Sequence, residues 1–364
     1  MTSRSRATMA EIAAEAGVSV PTVSKVLNGR HDVAPATRER IEELLRARSY
    51  LPRRNPPART AGLIDVVFVD LGSAWAMQIL AGVEEVAHRA GTGVVVSAVR
   101  HTPHVDRDAE RNRFEPRGRT RTAPDRRWLE HLAARRSDGV LLVLSELAAD
   151  QRARLAELGI PVVVVDPAGQ PDPSVPSVGA TNWTGALTAT EHLIGLGHQR
   201  IAVIGGPGDV LCSRARVDGY RAAMHAAGLP VPAGYERTGD FTSPTGHRET
   251  LALLDLPTPP TAVFAAADEM ARGAYEALYE RGLRVPDDMS VVGFDDLEQA
   301  RWSIPPLTTV RQPLTEMAGL ATRMLLTLIA GEPLDSTRLE LATPLVVRAS
   351  TAALGNISMS SARS

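Results

Sequence analysis

Cysteine is nearly missing from this sequence: Cys212 stands alone in 364 residues. One cysteine excludes an intrachain disulfide and a multi-cysteine metal site. Aromatic residues make up only 4 % of the chain, so a Trp or Phe beside a loop has to be read individually. No run of about 18 apolar residues is present to cross a bilayer, and nothing at the start resembles a signal peptide. A cytoplasmic protein without membrane contact is the expectation. The nine histidines show no metal-ligand spacing. Ser213 has no Ser/His/Asp pattern or nucleophile elbow around it. Gly205–Gly208 (GGPG) lacks a following Lys-Ser/Thr, and Pro207 removes a donor, so it reads as a tight turn and not a phosphate cradle. No catalytic centre and no cofactor are expected.

What is present is a chain long enough for more than one domain, with the 44 % hydrophobic and 23 % charged content of a globular protein. The net charge of −2 conceals an asymmetry: residues 1–60 sum to +5 and the remainder to −7. A basic front end on an acidic body points to a polyanion met only by the first residues.

The stretch 8–28, TMAEIAAEAGVSVPTVSKVLN, reads as two short helices joined by a tight turn. Ile12, Ala13 and Ala16 share one face of the first helix. The Thr8 hydroxyl can cap it, and Glu11 completes a capping box. Gly17 suits the position just past its end, where left-handed backbone costs glycine nothing. Ser19 caps the second helix, with Pro21 near its start, where a missing N–H is harmless. Val23, Val26 and Leu27 form the inner face. Thr22, Ser24, Lys25 and Asn28 are left outside, on a narrow, donor-rich face that suits a DNA major groove. A generic amphipathic hairpin would share the caps but not the whole string.

That string resembles the DNA-binding headpiece of the LacI family of bacterial transcription regulators. The similarity continues through Val33, Thr37, Arg38, Ile41, Leu44, Leu45, Tyr50 and Pro52 and returns at intervals to about Ala349, covering nearly the whole chain. The resemblance implies base reading by Val20, Pro21 and Lys25. Lys25 can donate to guanine O6 and N7, while Val20 and Pro21 offer apolar contact, for instance to a thymine methyl. Ser19, Thr22, Ser24 and Asn28 suit phosphate or mixed contacts, and Thr8 and Thr37 suit helix caps set against the DNA backbone. One headpiece reads few base pairs, so the expected partners are near-palindromic double-stranded operator DNA and a second copy of the chain in a homodimer.

In the linker, LPRRNPPARTAG at 51–62, the resemblance implies a hinge helix that wedges a leucine into the minor groove. Adjacent Pro56 and Pro57 oppose a helix, and no leucine follows Ala58 and Arg59 at the usual place. A flexible Pro-rich tether fits the same residues equally. Arg53, Arg54 and Arg59 are expected to touch phosphates or a narrow groove.

From residue 63 the pattern changes. Apolar runs at 63–69, 93–99, 139–144, 161–165, 200–204, 262–265 and 290–293 alternate with helical periodicity at 76–90, 150–158, 185–196, 213–227, 245–254 and 268–281. Such alternation argues for doubly wound parallel sheets, and two series argue for two lobes with a cleft. The fold class is therefore α/β: an N-terminal all-α helix-turn-helix headpiece followed by two doubly wound parallel-sheet lobes, which the resemblance makes periplasmic-binding-protein-like and joined by three crossovers. The expected domains are a headpiece at 1–50, the linker at 51–62, and an effector-binding and dimerisation domain at 63–349. Its first lobe takes 63–178 and 308–341, its second 179–307 and 342–349. Residues 101–127, rich in Arg and poor in large apolar residues, read as a disordered insertion, and 350–364 as a flexible tail.

Candidate cleft residues stand at strand ends. Trp75, in DLGSAWAMQ, can stack on a sugar ring or a base, a reading that a loop, where binding residues concentrate, favours over a core or dimer-face Trp. Asp166, Asp268 and Asp295 end strands, where ligands gather. Arg214 and Arg216 open a helix, and a guanidinium fork can bind vicinal hydroxyls. The resemblance assigns Arg216, Phe241 and Asp295 to the ligand, and Ala267 stands where the family usually has asparagine. Any one carboxylate can instead be a helix cap or an ion-pair partner. The set suits a small-molecule effector of the sugar or oligosaccharide class. The expected function is a repressor whose operator affinity that effector controls. A cytoplasmic sugar-binding protein whose helical module does not read DNA is the alternative, and an enzyme has no acid/base pair or metal cluster to support it.

Overall fold

In the computed structural model, residues 9–27, 33–48, 61–98 and 126–354 are described. The chain forms two compact units, 1–59 and 60–364.

The first unit is helical: α1 (Met9–Ala16), α2 (Val20–Leu27) and α3 (Pro35–Ala47). Its core is Ile12, Ala13, Ala16, Val23, Val26, Val33 and Ile41, with Val18, Leu44 and Leu45 half-buried against it. These are the positions that helical spacing brings to one face. Gly17, at φ +69°, ends α1 in the left-handed conformation, and Val18 N–H turns back to the Ala13 carbonyl at 3.0 Å.

The second unit runs β1 (Leu63–Phe68), α4 (Ala74–Arg89), β2 (Gly93–Ala98), α5 (Arg126–Arg135), β3 (Gly139–Val143), α6 (Ala149–Leu158), β4 (Val162–Val165) and β5 (Ser177–Ala180). It continues with α7 (Asn182–Gly195), β6 (Ile201–Gly205), α8 (Leu211–Ala226), β7 (Glu236–Thr238), α9 (Ser243–Leu254), β8 (Ala262–Ala265) and α10 (Asp268–Glu280). Then come β9 (Ser290–Asp295), α11 (Glu298–Trp302), β10 (Thr308–Arg311), α12 (Leu314–Ile329), β11 (Arg338–Leu341) and β12 (Leu345–Val346). One sheet has the order β11-β5-β4-β3-β1-β2, the other β12-β10-β9-β8-β6-β7. Pairing is parallel except for β12 against β10. In both lobes the strand order reverses between the first strand and its neighbours, so each offers a ligand crevice at its carboxyl edge.

The lobe boundaries differ from expectation. Ser177–Ala180 is one strand of the first sheet, so the first lobe runs past 178, to 180. Thr308–Arg311 pairs with β9 and lies in the second sheet, not the first. The chain crosses back at Gln312 and Pro313, where proline has no N–H for a ladder. A third crossing lies between β11 and β12, and the Thr181 and Thr343 hydroxyls of two crossings meet at 2.9 Å.

Three further boundaries move. Arg126 and Arg127, at the end of the expected insertion, open α5 in backbone terms, while 99–125 lie outside the described residues. The expected flexible tail is fixed as far as Leu354: buried Ser350 donates to the Val291 carbonyl at 2.6 Å, and Leu354 N–H donates to Leu196 at 2.9 Å. The last residues of the expected linker are held as well. The Asp138 carboxylate accepts N–H groups of Ala61, Gly62 and Leu63 at 2.9, 2.7 and 3.1 Å. Among the described residues no helix is long and apolar enough to cross a membrane.

Paired helices approach through glycine. A Cβ on Gly82 would fall 2.4 Å from the Thr315 carbonyl, bringing α4 onto α12, and one on Gly219 would fall 2.3 Å from the Trp183 carbonyl, bringing α8 onto α7. Backbone atoms cannot yield as a side chain can, so Gly219→Ala is expected to cost about 2 kcal/mol or more by overpacking. Urea denaturation of the wild type and the variant measures this; an unchanged midpoint would show that the two helices part freely.

Candidate functional site

On the helical unit, α2 presents Ser19, Pro21 and Lys25 exposed and Val20 at 42 % exposure, with Thr22 half-buried. The Ser19 hydroxyl bonds the Thr22 hydroxyl at 2.9 Å, which fixes both at the start of the helix. Thr37 lies inside the first turn of α3, past the position that would cap it. Thr8, Asn28, Arg53, Arg54 and Arg59, and the side chain of Ser24, lie outside the described residues. The exposed row is small, mixes polar with apolar groups and is cationic at Lys25, a profile fit for a groove.

In the second unit the carboxyl edges of the two sheets face one cavity of about 210 Å³. Of the expected cleft residues, Trp75, Asp166, Arg216, Phe241 and Asp295 line it, as does Ala267. Arg214 does not: two residues before Arg216 on α8, it turns roughly 200° away around the helix and is exposed. Asp268 does not line it either. Its carboxylate turns into the wall, accepting the Leu297 N–H at 2.8 Å and the Thr309 hydroxyl at 2.5 Å. It therefore holds lining residue Leu297 against β10 and faces away from the cavity.

Arg216 organises the cavity. It is buried, with Nε on Asn182 Oδ1 at 2.8 Å, Nη1 on the Ala266 carbonyl at 2.7 Å and Nη2 on Gln312 Oε1 at 3.2 Å. Its guanidinium lies over the Phe294 ring at 3.7 Å and near the Phe241 ring at 5.9 Å. Gln312, in a crossover, also accepts from Trp75 Nε1 at 3.4 Å and donates to Asp166 at 3.5 Å. Groups of both lobes therefore meet at one amide.

Among the described lining residues, Asp295 has a buried acceptor without a hydrogen bond, Oδ1, and Arg216 Nη1 stands 3.6 Å from it. Burial pushes the Asp295 carboxyl up to about 7, with Arg216 pulling it down and Asp166 pushing it further up. Burial likewise raises Asp166, which Arg216 partly offsets. Burial also takes the Cys212 thiol, in the same wall, to about 12, so it stays protonated and is no nucleophile.

The backbone is strained where the site is built. Asp166 (φ 48°), Phe241 (φ 67°) and Asp295 (φ 121°) all occupy the left-handed half of the map, which non-glycine residues enter at a cost of order 1–3 kcal/mol. Gly206, the second glycine of GGPG, makes room for the Phe241 ring, because a Cβ there would stand 2.2 Å from it. Sequence reasoning missed Asp70, Ser73, Asp240 and Glu269, which also line the cavity, and Asn182 and Gln312, which hold Arg216. Four of these six share a loop or strand end with a residue that had been singled out.

A family model described as "Bacterial regulatory proteins, lacI family" matches residues 8–53, and one described as "Periplasmic binding protein-like domain" matches residues 190–351. The HTH-type transcriptional regulator CelR of Thermobifida fusca is 36 % identical over 361 residues, spanning 96 % of this chain and 100 % of the relative. The chain belongs to the LacI family. The ribose operon repressor of Escherichia coli K12 is 35 % identical over 348 residues, 94 % of this chain and 99 % of the relative. Among solved structures, a CelR–cellobiose complex superposes with a TM-score of 0.68 at 34 % identity, covering 95 % of this chain and 100 % of that one. The lac repressor dimer bound to operator and the anti-inducer ONPF gives 0.65 at 30 % identity, covering 96 % and 100 %. LacI-family membership makes this chain a DNA-binding transcription regulator and not an enzyme.

The raised Asp295 carboxyl fixes a sign. An unfolded aspartate titrates near 4, so between that pH and about 7 the folded state holds the extra proton. Stability therefore falls as pH rises through this window. Asp295→Asn is expected to flatten that slope and to gain on the order of 1 kcal/mol or more at pH 8, read from melting curves between pH 4.5 and 8. A slope unchanged in the variant would contradict the assignment.

Proposed function

We propose that this LacI-family regulator is a cytoplasmic repressor that binds a near-palindromic operator as a homodimer and releases it when a saccharide fills the cleft. Residues 1–50 read the DNA, 51–62 connect, and 63–349 hold the effector and the dimer contact. The observation that carries the effector half is the cavity itself: buried acceptors at Asp166 and Asp295, one buried guanidinium, and the aromatic faces of Trp75 and Phe241 around a single space. Hydroxyl fans meet the first two and a ring's C–H face meets the last. That CelR has been solved with cellobiose, and that a ribose operon repressor is a relative, favours the same class here.

Exposed apolar side chains on the second lobe support the dimer. Trp302 is 67 % and Ile304 92 % exposed on one segment. That segment adjoins α10, where the Tyr275 hydroxyl bonds the Pro305 carbonyl at 3.1 Å and Tyr279, one turn on, is 84 % exposed. Large apolar side chains this exposed on neighbouring segments favour a protein contact. The lac repressor, solved as a dimer on operator, favours the same assembly. The mechanism is a population shift. Saccharide binds one closure of the lobes better than the other, and the spacing of the two linkers follows.

Removing residues 1–59 is expected to abolish operator binding while the thermal shift with a saccharide survives. Loss of both, or retention of DNA binding, would overturn the division of labour. Lys25→Ala is expected to weaken specific operator binding by about 1–3 kcal/mol with little effect on scrambled duplex, measured by anisotropy at physiological salt. Equal losses on both duplexes would make Lys25 a phosphate contact.

A further inference from the structure

Charge within the cavity is one-sided. Asp70, Asp166, Asp240, Glu269 and Asp295 line it, and Arg216 is the only cationic side chain among the described lining residues. Each of the three nitrogens of that guanidinium already donates to a protein acceptor, on Asn182, Ala266 or Gln312. Its charge is balanced against Asp295 at 3.6 Å. Two other donors of the wall are engaged within the protein. Trp75 Nε1 goes to Gln312, and the Thr242 hydroxyl goes to Asp240 at 2.6 Å. Among the described residues none donates a hydrogen bond to Asp295 Oδ1, which is buried with Arg216 Nη1 standing 3.6 Å away.

We infer that the effector is a saccharide that carries no anionic group, and that the cleft rejects the phosphate ester of the same sugar. This rests on the saccharide reading proposed above. A hydroxyl can donate to Asp295 Oδ1 or, where that carboxyl keeps its proton, accept from it, whereas a phosphate brings a dianion to a wall of five acidic side chains and one guanidinium. Like charges set against each other in a desolvated site cost several kcal/mol, and among the described lining residues no arginine, lysine or histidine besides Arg216 stands to neutralise them. A regulator built this way reads its sugar upstream of phosphoryl transfer to it. The reaction that consumes the signal is then a kinase step or a glycosidic cleavage, and the product of the kinase step is silent.

The test is calorimetric titration of the full-length protein with glucose, ribose and cellobiose, and with glucose 6-phosphate and ribose 5-phosphate. Every phosphate ester is expected to bind at least about tenfold more weakly than the neutral sugar that binds best. An ester that binds as tightly as its parent, or more tightly, overturns the charge selection while leaving the saccharide reading intact. Failure of all of these compounds, neutral and esterified, overturns the saccharide reading and this inference with it. The double variant Asp240→Asn, Glu269→Gln keeps side-chain shape and removes two charges. Its discrimination against the ester is expected to narrow several-fold, and raising KCl is expected to narrow it in the wild type. A gap unmoved by the double variant assigns the discrimination to shape and overturns the inference.

Discussion

The guanidinium of Arg216 is the constraint on which the rest of the effector unit depends. A buried cation is tolerated only when its charge is answered and its N–H groups are satisfied. Here the answer comes from every side: Asn182 at the start of α7, Ala266 at the end of β8, Asp295 at the end of β9, and Gln312 in a crossover. These groups belong to separate segments, so the ion fixes the relation among several strand ends at once. It also determines what remains unsatisfied. One guanidinium cannot compensate Asp166, Asp295 and the acids around them, so the cleft is left rich in acceptors and poor in donors.

That imbalance is kept by strained backbone. Asp166, Phe241 and Asp295 reach the cavity through positive φ angles, and the packed layers behind them hold those angles in place. Asp268 contributes to this from behind: by gripping Leu297 and Thr309 it pins the wall, and burial pushes its carboxyl well up. A residue that seemed a candidate for the ligand instead supports those that meet it. The crossovers add the mechanical element. Gln312 bonds Trp75 and Asp166 from the first lobe and Arg216 from the second, so a ligand that competes for Trp75 or Asp166 acts on a segment that joins the lobes.

Much of this was legible in the residues, for physical reasons. The headpiece could be read because short amphipathic helices show their core by spacing, and Ile12, Ala13, Ala16, Val23 and Val26 are buried together. The central strands could be read because both faces of a parallel sheet are covered, which forces apolar runs such as Val162–Val165. The edges could not. Glu236–Thr238 and Arg338–Leu341 are short, polar and half-solvated, and Thr308–Arg311 buries two threonines where a strand was not expected. Misplacing that strand moved the lobe boundary. Within the site, strand ends gave Asp166 and Asp295, and the resemblance gave Arg216 and Phe241. Position along the chain could not say that Arg214 faces away or that the Asp268 side chain turns inward, because helix phase and wall hydrogen bonds decide those.

In the proposed mechanism, occupancy of the acidic cleft changes the affinity of the basic headpiece for DNA through the Arg216 network. The most direct measurement is operator titration of the wild type and Arg216→Lys, each with and without the saccharide that calorimetry shows to occupy the cleft. The wild type is expected to lose about 5–150-fold in operator affinity when the cleft is filled, and Arg216→Lys is expected to bind operator but lose most of that response. Wild-type operator affinity that stays constant with the cleft saturated would contradict this mechanism.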